Sequence, residues 1–212
     1  PGNHDAYVAD ALGAWRSLAP WMGGGNADVP FRPFVKHVGS LALIGLSTAV
    51  PTPVGFAAGR LGATQLELLE EQLRSLRADV VIRVVLLHHP PVSGWSHGRK
   101  ALEDAGPFRE VIRRQGAELI LCGHEHRLLI GALDGPDGEV PVLGAPSASL
   151  VRPEARWSGG YLLLKVAPCE RGCRLSVEHR ARAGGAGPVA TVLSTCFEPV
   201  DEARRRRVRR AA

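Results

Sequence analysis

Short apolar runs alternate with amphipathic stretches through the first half of this chain, and that alternation limits the folds open to it. Val35 and the run Leu41-Ala42-Leu43-Ile44-Gly45-Leu46 read as strand, followed by a loop through Pro51, Pro53 and Gly55. Over residues 63–76, Leu66, Leu69, Leu73 and Leu76 recur at helical spacing, with Glu67, Glu70, Glu71 and Arg74 filling the other face. Residues 80–87 predict a buried strand, 107–115 a helix and 118–122 a second short buried strand. Strand, helix, strand, helix, strand is the order of a sheet with helical crossovers.

The second half changes character. Residues 127–133 and 140–143 flank Asp134-Gly135-Pro136-Asp137-Gly138, a turn signal between two strands. Residues 160–166 and 174–179 predict another strand pair around 168–172. Gly184-Gly185-Ala186-Gly187-Pro188 reads as a flexible break, and 189–197 as one further edge strand. The expectation is an α/β fold with two packed sheets and helices outside. Residues 1–182 form its domain, 183–202 the break and edge strand, and 203–212 a basic tail.

Composition narrows the function classes. A hydrophobic content of 45% and a charged content of 22% suit a globular domain. No apolar run approaches the roughly 20 residues of a membrane-spanning helix. The net charge of +5 suggests an anionic partner at first sight. Arg204, Arg205, Arg206, Arg207, Arg209 and Arg210 carry six of those positives, however, and without them +5 becomes −1. The body is therefore near neutral, and it shows no interleaving of aromatic and basic residues, which argues against a nucleic-acid groove. An unpatterned arginine block is expected to be a solvated end. Cys122, Cys169, Cys173 and Cys196 are too scattered for a disulfide framework. Reduced thiols in a cytoplasmic protein are expected.

Three histidine motifs stand where strands should end. They are Gly2-Asn3-His4-Asp5, His88-His89-Pro90-Pro91 after the apolar run 84–87, and Gly123-His124-Glu125-His126 after 119–122. Ligands collect at the carboxyl ends of strands in α/β folds. Imidazole suits Zn, Mn and Fe, and a His-x-His pair can offer rings to two neighbouring ions. Each motif alone has an ordinary reading: a turn, a core histidine, or a helix start capped by Asn3 or Asp5. Their combination and order carry the weight.

That combination resembles the metallophosphoesterase superfamily, the calcineurin-like phosphoesterases, over about residues 1–166. The family's later signature blocks read Gly-Asn-His-Asp/Glu, then His after a strand, then Gly-His-x-His. His-His-Pro-Pro is similar to the bacterial branch related to cyclic-nucleotide phosphodiesterases. The helix over 63–76 and the segment Gly144-Ala145-Pro146-Ser147 also fit. The resemblance implies a two-sheet αββα sandwich and a hydrolase of phosphoesters, phosphodiesterase or phosphatase, with two divalent or trivalent ions of Mn, Fe or Zn. Asn3, His88 and His124 would ligate one ion and His126 the other. A hydroxide bridging the ions would attack the phosphorus. His4 would act as general acid or charge stabiliser at the scissile phosphate, with Asp5 orienting its ring. His89 would either support the ligand beside it or face the substrate. The implied partner is a small phosphorylated substrate, with cyclic nucleotides among the candidates.

The sequence departs from the family at one point. The earlier blocks, Asp-x-His and then Gly-Asp, which supply further ligands, have no counterpart in residues 1–212. The first strands of the sheet are missing with them. The expectation is therefore the C-terminal part of a longer enzyme, impaired on its own. The alternative is a pseudoenzyme of the same fold serving as an interaction module. Trp95, His97, Arg99 and Lys100 are expected in a solvated loop after the second motif, with contact to substrate phosphate or base as the other reading. No role is expected for His37 or His179.

Overall fold

The computed structural model of the chain describes residues 2–5, 33–39, 41–76, 82–151, 157–169, 172–183 and 188–197. It is a mixed α/β protein with a six-stranded and a three-stranded sheet. The chain divides into two compact units. The first comprises Pro1–Glu125 and Ile130–Leu143, and the second His126–Leu129 and Gly144–Ala212.

The six-stranded sheet contains β1 (Phe34–Val38), β2 (Leu41–Gly45), β3 (Ile82–Leu86), β4 (Leu119–Cys122), β5 (Leu129–Gly135) and β6 (Gly138–Gly144), in the order β1-β2-β3-β4-β6-β5. β1 pairs antiparallel with β2, and β2, β3 and β4 run parallel. The parallel pairs need long crossovers, supplied by helices α1 (Ala63–Leu76) and α2 (Ala105–Gln115). α1 occupies the residues its leucine period predicts. It buries Leu66, Leu69, Leu73 and Leu76, while α2 buries Phe108, Val111 and Ile112, all in one cluster with Ile44, Val85 and Ile120.

α2 begins at Ala105, two residues before the predicted start, which places Pro107 inside its first turn. Proline is tolerated there because an N–H at that position has no partner within the helix. Asp104 stands at the N-cap but makes no cap bond. Its carboxylate instead accepts the N–H groups of Leu61 and Gly62, ahead of α1. Arg114 forms a forked pair with Glu70 that ties α2 to α1.

The second unit holds β7 (Trp157–Cys169), β8 (Gly172–Ala183) and β9 (Val189–Phe197), each antiparallel to the next. β7 and β8 run past the predicted 160–166 and 174–179 at both ends. The extensions carry polar residues such as Arg180 and Arg182, which give no strand signal in sequence. β9 lies along β8 at the sheet edge. The glycine-rich break at 184–187 and the arginine tail lie outside the described residues. Among the described residues no helix is long and apolar enough to cross a membrane.

Candidate metal centre

The register of β3 against β4 brings two of the three motifs together. The ladder pairs Leu86 with Leu121 and continues beyond both strands. Leu87 N–H donates to the Leu121 carbonyl at 3.1 Å, and Gly123 N–H donates to the His88 carbonyl at 2.9 Å. His88 and His124 therefore leave the carboxyl edge of the sheet side by side. The rings sit edge to face, with centroids 5.2 Å apart.

The first motif meets them there. Asn3–Asp5 forms a single 3-10 turn, closed by Asp5 N–H to the Gly2 carbonyl at 3.0 Å and by Gly2 N–H to Asp5 Oδ2 at 2.9 Å. The turn buries Asn3, only 2% exposed, and leaves His4 and Asp5 exposed. Asn3 Oδ1 lies 3.0 Å from His88 Nε2 and 3.2 Å from His124 Nδ1, and the two ring nitrogens are 3.3 Å apart. Gly2 is required for this approach, because a Cβ there would stand 2.6 Å from the His88 ring.

Two imidazole nitrogens and an amide oxygen thus form a nearly equilateral triangle. Donor atoms about 2.0–2.2 Å from a shared ion stand about 3.0–3.5 Å from one another. The triangle fits a divalent ion on both edge length and donor chemistry. Among the described residues no three His, Cys, Asp or Glu side chains are arranged to hold a metal ion together; the third donor here is an amide.

Backbone conformation marks the same segment. His124 and His126 adopt φ of 69° and 53°, the left-handed region that residues with a Cβ seldom enter. Such conformations cost on the order of 1 kcal/mol or more each and cluster at functional sites. His126 is exposed and belongs to the second unit.

His89 turns inward and is fully buried. Its Nε2 is 2.9 Å from the Ala57 carbonyl and its Nδ1 is 2.7 Å from Thr48 Oγ1. Burial, reinforced by the neighbouring His124, pushes its pKa down to about 4 although the Ala57 carbonyl works the other way. The ring is neutral at physiological pH, and both nitrogens are engaged within the protein. Sequence reasoning missed Thr48 and Ala57, which lie 41 and 32 residues away.

The loop after the second motif is partly anchored. Ser96 Oγ donates to Glu125 Oε1 at 2.6 Å, which joins this loop to the third motif. Trp95 packs onto the core, close against Gly131. His97, Arg99 and Lys100 are exposed, and the Arg99 guanidinium lies 5.4 Å from the centre of the Phe56 ring. Cys122 is a buried free thiol whose pKa burial raises to about 12, so it stays protonated.

The sequence profile of the calcineurin-like phosphoesterases matches residues 1–128, which include all three motifs. The chain belongs to the calcineurin-like phosphoesterase family. A "probable cyclic nucleotide phosphodiesterase" of Synechococcus sp. (strain WH7803) is 30% identical over 149 residues, 63% of this chain and 55% of that protein. The chain thus spans about half the length of this curated relative. Among solved structures, Vps29 of Entamoeba histolytica complexed with zinc aligns over 79% of this chain and 61% of its own, at 11% identity and a TM-score of 0.34. A single mutant of that Vps29 aligns over 61% of this chain and 89% of its own, at 10% identity and a TM-score of 0.29.

Proposed function

We propose that the protein is a metal-dependent phosphoester hydrolase acting on a small phosphorylated substrate, with a cyclic nucleotide as the first substrate class to test. The observation that carries this reading is the triangle of Asn3, His88 and His124, built from motifs 36 to 121 residues apart. A core with no ligand to hold would have no need of three polar donors crowded at one strand edge. The name of the Synechococcus relative points to cyclic nucleotides.

In this reading Asn3, His88 and His124 hold one ion and His126 contributes to a second, both drawn from Mn, Fe and Zn. Bound there, the ions supply Lewis-acid stabilisation of phosphoryl charge and acidify water. The chain's own residues do the rest. Asn3 is fixed by the Gly2–Asp5 turn, so its oxygen needs no reorganisation to bind. His4, exposed on that turn, would give a proton to the leaving oxygen, a contribution of typically about 10²–10⁴-fold. Asp5 holds the turn that presents His4. Arg99 and Lys100, exposed in the loop after the second motif, would offer cationic groups to an anionic substrate.

Hydrolysis of bis(p-nitrophenyl) phosphate and cyclic AMP by the full-length protein, loaded in turn with Mn, Fe and Zn, tests the proposal. Turnover that drops at least about 100-fold in His124→Ala is expected. Wild-type protein inactive with every metal would contradict it.

A further inference from the structure

His89 and Thr48 form a buried unit directly behind the donor triangle. Thr48 lies in the loop that follows β2 and is fully buried. The Ala57 carbonyl can only accept, so His89 Nε2 carries the ring hydrogen and donates it at 2.9 Å. In the neutral ring Nδ1 then accepts, and the Thr48 hydroxyl at 2.7 Å is placed to donate to it. The same oxygen receives the backbone N–H of His89 at 3.4 Å. The ring is held by its backbone and by both nitrogens.

The faces of that ring are occupied as well. The His124 ring lies against it, with centroids 4.3 Å apart and planes tilted by 40°. The His88 ring meets it nearly at right angles, with centroids 5.0 Å apart. Behind it, Gly59 leaves room that no other residue would, since a Cβ there would stand 2.2 Å from Nδ1. One fixed imidazole thus sets the position of two rings whose nitrogens make up the triangle.

We propose that Thr48 is a positioning residue for the metal centre: its hydroxyl fixes the tautomer and orientation of His89, against which His88 and His124 are held at ligand spacing. The inference rests on the metal reading above. Partners that orient ligands in this indirect way typically account for about 10–100-fold in metal affinity. Replacing threonine by valine keeps the shape and removes the hydroxyl, and replacing it by serine keeps the hydroxyl.

The test combines two measurements. In metal-free wild-type protein, ring ¹⁵N shifts of His89 should report hydrogen on Nε2 and an accepting Nδ1. Hydrogen on Nδ1 would overturn the proposal without any variant being made. Zinc affinity is then measured by competition with a chromophoric chelator. Thr48→Val should bind about 10–100-fold more weakly than wild type, with Thr48→Ser within about threefold. Wild-type binding with Thr48→Val unchanged would overturn the role of Thr48 alone. Wild-type protein that binds no zinc would overturn the metal reading and this inference with it.

Discussion

Asn3 and His4 are neighbours in sequence and opposites in environment. The 3-10 turn directs Asn3 into the triangle and leaves His4 exposed. Replacing His4 by alanine should therefore keep the bound metal while turnover falls by about 10²–10⁴-fold, the range of a lost general acid. Metal content and steady-state rates of the same preparation check this, and loss of metal would place His4 among the ligands. The three residues of the triangle were legible in sequence because each follows an apolar run or a glycine turn that fixes it. Their support was not. Thr48, Ala57 and Gly59 are ordinary loop residues, and nothing local marks a contact made across 41 residues.

Among the elements, α1, β2, β3 and β4 followed directly from hydrophobic period, because each buries a face or both faces. The long-range polar ties between elements left no such trace. Arg83 on β3 is the strongest case: its guanidinium bonds Glu118 at both carboxylate oxygens and also reaches the Leu73 and Gln115 carbonyls at the ends of α1 and α2. The pair is 5% and 13% exposed. Glu118→Ala would leave this buried guanidinium without its carboxylate, at a cost of about 3–5 kcal/mol. Urea unfolding measures it, and a loss under about 1 kcal/mol would show that the four contacts are not coupled.

On β8, His179 is 6% exposed, shares the buried alternation of Leu175, Val177 and Ala181, and finds no hydrogen-bond partner among the described residues. Burial holds its pKa below the usual histidine value. As pH falls below about 6.5, the unfolded chain takes up a proton that the folded chain refuses, so stability drops. His179→Leu should therefore lose less stability than wild type between neutral and mildly acidic pH. Parallel pH curves for the two proteins, from chemical denaturation, would contradict this.

For the whole molecule, the account rests on convergence. Parallel β3 and β4 end side by side, the turn at residues 2–5 arrives at their carboxyl edge, and the backbone of the third motif takes left-handed conformations at both of its histidines. The family profile covers the same motifs. Which loops select the substrate was not legible, because exposed groups such as His97 and Arg99 carry no periodic or spacing signal. The most direct test of the central claim is metal content by mass spectrometry after gel filtration, comparing wild type with Asn3→Ala and His88→Ala after loading with Mn or Zn. The account predicts about two ions per chain in the full-length wild type. Each variant should lose at least one of them while retaining its fold by circular dichroism. Equal metal content in all three proteins would contradict the assignment of Asn3 and His88 as ligands.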